Sequence, residues 1–296
     1  MEGSDHPGPA GVLYVSRMTA SAEWVRAWKP AVRGVHEVFH ARFLEHAYPR
    51  HTHDAWTVFL VDDGSIAYDL DRLHRGAAGG RVTILPPHLV HDGRAATPSG
   101  YTKRVLYLAE DLLGERSIGP SVDEPDIGDP RVVGAVRRLH RVLREPAEAF
   151  EAETRLAIVV DALRAHLGDG RHERDATPGD RLADEYRALL DSTALDSRVT
   201  LSDAAATLHA SPGHLVRSFA NRFAISPHRY LVSARIEAAR RRLLDGEPPA
   251  DVATGVGFFD QAHLTRHFKR HVGTTPAAFA SGRRSPAPNG SRAGVS

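Results

Sequence analysis

The sequence of 296 residues contains no cysteine, which excludes disulfides, thiolate metal ligands and cysteine nucleophiles. It also lacks any run of about 18 apolar residues, the length that a membrane-spanning helix requires. Its N-terminus does not have the basic and then apolar stretch of a secretory signal. We find neither a phosphate-binding glycine loop nor a nucleophile paired with a base. We therefore expect a cytoplasmic protein that is not an enzyme and carries no cofactor.

Lysine is scarce, since it occurs only at Lys29, Lys103 and Lys269, and arginine supplies most of the positive charge. The net charge of +1 hides an asymmetry along the chain. Residues 181–284 carry a net charge of +5, whereas residues 1–180 carry −5. A basic segment joined to an acidic one favours a protein whose basic part binds nucleic acid.

The pattern of apolar residues changes along the chain. Short apolar runs broken by turn residues, such as VHEVFHARF, AWTVFLV, SIAYDL and RVTILP, predict a β-sandwich or barrel. Apolar residues at helical spacing then predict two amphipathic helices over 131–167, and a further helical part follows. The expected fold class is α+β multidomain, a β-barrel with two helices followed by an all-α domain. The expected boundaries are an irregular segment 1–34, a barrel domain 35–168, a linker 169–180, a helical domain 181–284 and a disordered tail 285–296.

The segment LSDAAATLHASPGHLVRSFANRF predicts a helix-turn-helix unit. Thr200 or Ser202 would cap its first helix, and Ser211 followed by proline begins its second. Leu215 and Phe219 are spaced i, i+4 and would pack inward, which leaves the polar residues of the second helix facing solvent.

A second unit with the same plan follows about 49 residues later, in PADVATGVGFFDQAHLTRHFKRH. Leu264 and Phe268 repeat the inward i, i+4 pair. A long helical pattern, SPHRYLVSARIEAARRRLL, joins the two units and would span about 27 Å at 1.5 Å per residue. That length would place the two second helices roughly one turn of duplex DNA, about 34 Å, apart.

These segments resemble the bacterial AraC/XylS regulators, above all in SPGHLVRSFANRF and VATGVGFFDQAHLTRHFKRHVGTTPAAF. The chain departs from the family at Ala224, where glycine is usual and a positive φ is expected. The resemblance implies a regulator with double-stranded DNA as its partner, and RNA polymerase as a further one. It also implies residues that contact base edges, and we expect others to contact phosphates. The base-contacting set is Gly213, Val216, Arg217, Ala262, His263 and Arg266, and the phosphate-contacting set is Ser211, Gln261 and Lys269.

The segments YPRHTHDAWTVFLVDDG and GGRVTILPPHLVHDG resemble the cupin-like sensor domain that is often fused to such DNA-binding units. This implies a small barrel that binds an effector. His51 and His53 occupy alternate positions of a strand and so point to one side, where His91 could meet them from a neighbouring strand. We expect a small-molecule effector to contact His51, His53, Trp56, Tyr68, His91 and Tyr107.

Two other roles for the three histidines stay open. Three imidazoles are enough for a zinc, iron or nickel site, yet the glutamate ligand of metal cupins is absent after His53, where Trp56, Thr57 and Val58 stand instead. The histidines could also simply bond to backbone groups at the mouth of the barrel. We expect effector contacts and no tightly bound metal.

The resemblance also implies a homodimer, formed through the apolar surface of the two helices in 131–167. Those helices could instead pack only on their own barrel. Two other functions remain possible at this point: a cupin-type metal enzyme with an appended DNA-binding domain, and a constitutive DNA-binding dimer without an effector.

Overall fold

The computed structural model describes residues 23–145, 148–168, 178–194 and 200–282. The expected tail, 285–296, and most of the expected linker, 169–180, lie outside these residues. Within the expected irregular segment 1–34, residues Trp24–Trp28 form a strand that pairs with Val35–Phe43, so that boundary was wrong. The physical reason is that Val25 and Ala27 occupy alternate positions and pack on the core of the barrel, so that this strand completes the edge of the sheet.

Within the described residues, nine strands form the N-terminal domain, in agreement with the expected sheet-rich fold. In chain order they are β1 Trp24–Trp28, β2 Val35–Phe43, β3 Tyr48–His51, β4 Trp56–Leu70, β5 Leu73–Ala78, β6 Val82–Leu85, β7 His91–Ala95, β8 Tyr101–Leu108 and β9 Asp126–Ile127. The main path of the sheet runs β1-β2-β8-β4-β6-β9, while β5 and β7 pair with β4 and β3 pairs with β7. All of these pairs are antiparallel.

Strand β4 is longer than the sequence suggested. We expected a break at Asp62-Asp63-Gly64, but the strand continues through it with a register shift between Val61 and Asp63. Gly64 has φ +75°, and a Cβ atom there would lie 2.0 Å from the carbonyl oxygen of Gly100. The turn residues therefore bend β4 without ending it, and the one strand belongs to both halves of the barrel.

The two faces of the sheet meet different neighbours. Phe59 and Val61 of β4 point toward the barrel interior and the helical domain. Trp56, Val58 and Leu60 point the other way and pack against the helices of the N-terminal domain. This alternation is the ordinary consequence of the two-residue period of a strand.

Three helices complete the N-terminal domain: α1 Ile118–Asp123, α2 Pro130–Val142 and α3 Ala149–Leu167. Two short 3₁₀ helices, Glu110–Leu112 and Glu115–Ser117, precede them. Asp129 caps α2, because its side chain accepts a hydrogen bond from the amide of Arg131. The two helices predicted over 131–167 correspond to α2 and α3, which pack on each other and cover the outer face of the sheet.

The helical domain contains two helix-turn-helix units, as predicted. Its helices are α4 Pro178–Thr193, α5 Leu201–Thr207, α6 Pro212–Phe223, α7 Pro227–Asp245, α8 Pro249–Gly255, α9 Gln261–Val272 and α10 Pro276–Gly282. Thr200, rather than Ser202, caps α5 in a capping box with Asp203. Ser211 and Ser226 cap α6 and α7. The side chains of Leu215, Phe219, Leu264 and Phe268 are fully buried.

Ala224 ends α6 in the left-handed conformation, with φ 53° and ψ 18°. Alanine adopts this conformation at a cost of roughly 1 kcal/mol relative to glycine. The expected positive φ at this departure from the family pattern is therefore confirmed.

The helical domain lies directly against the barrel. Ile236 and Ala239 of α7 belong to the same buried cluster as Phe39 and Phe43 of the barrel. At the turn after α9, Gly273 has φ +84°, and a Cβ atom there would lie 2.5 Å from the Phe43 ring. Glycine is required at this position both by the backbone conformation and by the close approach of the two domains. Among the described helices, none is long and apolar enough to cross a membrane.

Candidate functional site

The second helix of the first unit, α6, presents part of its expected DNA-contacting set to solvent. Gly213 and Arg217 are exposed. Val216 is half-buried and faces a groove that is lined by α4, α5 and α7. The Ser211 hydroxyl accepts the amide of His214 as a helix cap, which leaves its proton free to reach a phosphate.

Helix α9 of the second unit presents its expected set in a similar way. Gln261, Ala262, Arg266 and Lys269 are exposed. His263 is half-buried, and its ring packs edge-on against Phe258 at 5.3 Å between centroids. The two helices thus offer Arg217 and Arg266 as freely accessible guanidinium groups.

A cavity lies between the barrel and the helical domain. Five of the six expected effector residues line it, namely His51, His53, Tyr68, His91 and Tyr107. The cavity measures about 40 Å³, room for roughly three water molecules. Its lining includes His51, His53, Tyr68, His91, Tyr107, Phe39, Phe59 and Lys103 from the barrel, with Arg240 and His271 from the helical domain.

Three histidines meet at one end of this cavity. His51 and His91 are directly paired across β3 and β7, and His53 follows β3 by two residues. The Nε2 atoms of His51 and His53 are 3.2 Å apart. One nitrogen from each of the three rings lies within 4.8 Å of the others, and all three residues are buried.

Each of these histidines has its other nitrogen occupied. His51 Nδ1 lies 2.7 Å from the carbonyl oxygen of Pro49, and His91 Nδ1 lies 3.0 Å from that of Leu89. His53 Nδ1 lies 2.9 Å from Oε1 of Glu237, a residue of α7. Burial, followed by the neighbouring imidazoles, holds the pKa of His51 well below its usual value, and burial likewise lowers the pKa of His91 to about 4. Neutral imidazoles are therefore the dominant form at pH 7.

Lys103 supplies the positively charged group on the barrel side of the cavity. Its Nζ atom lies 4.3 Å from the centroid of the Tyr48 ring, also close to the rings of Phe39 and Phe59. Burial, and then the charge of Arg240, lowers the pKa of Lys103 to about 7. Lys103 forms no ion pair with any residue in the described ranges.

Polar atoms without partners line the same cavity. The hydroxyl groups of Tyr48, Thr57 and Tyr68 are buried and have no hydrogen-bond partner among the described residues. Asp92 also lines the cavity, but its carboxylate accepts the amide of Asp69. Buried polar groups normally find partners, so three unpaired hydroxyls in the cavity that Lys103 also lines mark a surface that suits a polar ligand.

Helix α7 connects this cavity to both DNA-binding units. Arg240 donates two hydrogen bonds to the Glu37 carboxylate of β2, at 2.7 and 3.0 Å, and its guanidinium stacks 4.4 Å from the centroid of Tyr107. Glu237, one turn earlier on α7, accepts from both Arg240 and His53. All of these side chains are buried.

Of the expected effector residues, one lies outside the cavity. Trp56 does not line the cavity, because strand alternation turns it to the opposite face, where its Nε1 donates to the carbonyl oxygen of Glu110. Lys103, Glu237 and Arg240 were missed. Lys103 alternates with the apolar positions Tyr101 and Val105 of β8, and this phase was the available signal for it. The contacts of Arg240 with Glu37 span 203 residues and leave no local pattern.

Two family models match the chain. The AraC-like ligand binding domain matches residues 33–159, and a helix-turn-helix domain matches residues 204–282. The chain belongs to the AraC family of transcriptional regulators. It is therefore a DNA-binding protein of transcription regulation with a ligand-binding domain, and the expected resemblance is confirmed.

Named relatives agree with this membership. The regulator YbfI of Bacillus subtilis is 23% identical to this AraC-family chain, over 77% of the chain and 85% of its own length. The transcriptional activator NphR of Rhodococcus sp is 27% identical, over 76% of the chain and 70% of its own length. Among solved structures, unsaturated fatty acid bound ToxT of Vibrio cholerae has a TM-score of 0.54 at 12% identity. That likeness covers 89% of this chain and 96% of ToxT, and it shows the shared fold.

Proposed function

We propose that this AraC-family protein is a sequence-specific regulator whose DNA affinity changes when a small anionic molecule binds in the cavity between its two domains. The observation that carries the proposal is the position of the cavity. Its wall includes Lys103 of the barrel and Arg240 of α7, the helix that joins the two helix-turn-helix units.

The DNA side of the proposal rests on α6 and α9. Helix α7 has 19 residues and so spans about 28 Å, close to the distance between successive major-groove faces of one duplex. Arg217 and Arg266 are exposed and chemically suited to guanine O6 and N7. Lys269 suits a phosphate, because an ammonium on a flexible stem acts as a point charge.

The effector side rests on charge and hydrogen-bonding capacity. Lys103 lies in an aromatic environment without a carboxylate partner, so an anion there would restore its charged form. The free hydroxyls of Tyr48 and Tyr68 would bond the remaining oxygen atoms. The ligand named for ToxT, an unsaturated fatty acid, is also a carboxylate. The likeness to ToxT supports the fold alone, so the choice of an anion depends on Lys103.

The alternative of a constitutive DNA-binding protein is less well supported. A ligand can shift a conformational equilibrium only if it contacts the two states differently. Here the same cavity touches both domains, so separation or rotation of the helical domain would change its wall at Arg240 and His271.

The proposed regulator acts as a homodimer through α3. The buried face of this helix packs on the sheet, yet Phe150 is 84% exposed and Ile158 is 45% exposed on its outer face. Together with Thr154, these residues form a row at i, i+4 and i+8. Such an apolar row on an exposed helix is typical of a surface that pairs with a second helix.

Substitution of the two recognition arginines tests DNA readout. We expect Arg217→Ala and Arg266→Ala each to weaken binding to the best selected site by about 1–3 kcal/mol and to relax base preference locally. Lys269→Ala is the control for charge alone: it should weaken all sequences similarly and reduce the salt-dependence slope by about one. In vitro selection of bound duplexes measures both effects. An arginine variant that selects the wild-type motif with wild-type affinity would contradict its assigned role.

Substitution of Lys103 tests the effector site. Acetate, propionate and butyrate should raise the melting temperature and change the affinity for the selected DNA site by at least about 5-fold, whereas ethanol, propanol and butanol should not. Lys103→Met should lose both responses because it removes the cation. Lys29→Met, which removes an exposed ion pair with Asp245, is the matched control and should keep them. Equal responses in the Lys103 variant would contradict the anion site.

A charge on the outer face of α3 tests the dimer. Ile158→Glu should convert the full chain to a monomer at micromolar concentration, since a carboxylate would be desolvated between two helices. Arg164→Gln lies on another side of α3, changes the net charge equally and should leave the dimer intact. Sedimentation velocity distinguishes the two species. A wild-type chain that sediments as a monomer would overturn this part of the proposal.

A further inference from the structure

The geometry points to a divalent transition-metal ion held by Nε2 of His51, His53 and His91, with Glu237 of the helical domain as the outer partner of His53; we propose this site as a property of the chain that does not depend on the effector. From the sequence alone we expected no tightly bound metal, because the carboxylate ligand of metal cupins is absent. The positions of the ring nitrogens change that expectation.

The hydrogen bonds at Nδ1 fix where the protons are. A carbonyl oxygen only accepts, so the Nδ1 atoms of His51 and His91, which face the carbonyls of Pro49 and Leu89, must carry hydrogen. The Glu237 carboxylate imposes the same tautomer on His53. In the neutral rings, all three Nε2 atoms are then bare lone pairs.

The three Nε2 lone pairs lie close to one another and not against hydrogen-bond donors. The Nε2 atoms of His51 and His53 are 3.2 Å apart, a distance at which two lone pairs repel unless a cation lies between them. Nitrogen ligands bound at about 2.0–2.1 Å lie about 2.8–3.0 Å from each other in octahedral geometry and about 3.3–3.4 Å in tetrahedral geometry. The widest separation in the trio is within 4.8 Å, so small ring rotations would bring His91 into the same shell.

The surroundings match those of a metal centre. Metal-bound histidines commonly donate their second nitrogen to a carbonyl or carboxylate, which fixes the tautomer and ring orientation. All three histidines here do so. Three imidazoles leave a position open toward a cavity of about 40 Å³, which suits water or one small anion. Imidazole ligands without thiolates favour zinc, copper, nickel or iron over magnesium or calcium.

Glu237 makes the site a link between the two domains. It belongs to α7, while all three ligands belong to the barrel, and the residue numbers of Glu237 and His53 differ by 184. An ion on His53 would strengthen the Nδ1–H donor and so the bond to Glu237. Occupancy of the site would thereby favour the arrangement in which the helical domain lies against the barrel.

The test uses the full chain after removal of metals with a chelator, titrated with Co(II) and then with Zn(II). We expect one equivalent of Co(II) to bind with a visible ligand-field spectrum, which Zn(II) then displaces. His51→Ala, His53→Ala and His91→Ala should each lose stoichiometric binding. His46→Ala removes a partly buried imidazole that packs on Tyr48 and is outside the trio, and it should retain the spectrum.

Glu237→Gln tests the link to the helical domain. We expect it to keep the 1:1 stoichiometry and weaken metal affinity by about 10–100-fold, as outer-shell substitutions do.

Lys103→Met, which removes a neighbouring cation, should bind Co(II) at least as tightly as the wild type, so a failed effector site leaves this result intact. Because the wild-type spectrum needs no variant, misfolded alanine variants do not obscure the outcome. Wild-type protein without stoichiometric Co(II), or with binding unaffected by His51→Ala, would overturn the site, and unchanged affinity in Glu237→Gln would overturn the link.

Discussion

The arrangement of the two domains depends on the buried ion pair between Arg240 and Glu37. Its two hydrogen bonds, at 2.7 and 3.0 Å, cross from α7 to β2, and the guanidinium also stacks on Tyr107. Removing one partner from such a pair leaves an uncompensated buried charge, which costs about 3–5 kcal/mol. The pair therefore strongly favours this one docking of α7 on the barrel. By contrast, the neighbouring pair of Arg241 with Asp54 is partly exposed and contributes little.

This buried ion pair explains why one helix, α7, can contact both the cavity and the two helix-turn-helix units. Two residues of α7 face the barrel: Arg240 lines the cavity, and Glu237 accepts a hydrogen bond from His53. Its remaining buried residues, such as Tyr230 and Leu243, belong to the cores of the two helix-turn-helix units. A change in the cavity that moved α7 would therefore reach both recognition helices through packed side chains. An anion near Lys103 and a metal ion on the three histidines would act on the same helix from two sides of the cavity.

Much of the fold could be predicted from the sequence because its signals are local. Ser211 and Ser226 before proline mark helix starts, and the i, i+4 pairs Leu215–Phe219 and Leu264–Phe268 mark the inner faces. The three histidines could be placed together because His51 and His53 occupy alternate positions and the segment of His91 resembles a cupin-like motif. In the structure, His51 and His91 are paired across β3 and β7. The face of the sheet on which Trp56 lies could not be predicted, since the phase of β4 depends on its neighbours and on the bulge near Asp63. The role of Arg240 could not be predicted either, because its contacts depend on how the two domains pack together.

A double-mutant cycle on Glu37→Gln and Arg240→Met tests the central claim, that the two domains form one unit through α7. The account predicts a single cooperative thermal transition for the wild type and a coupling energy of about 1–3 kcal/mol between the two substitutions, the upper range for residues in direct contact. Two separate transitions in the wild type, with substitutions whose effects simply add, would contradict it.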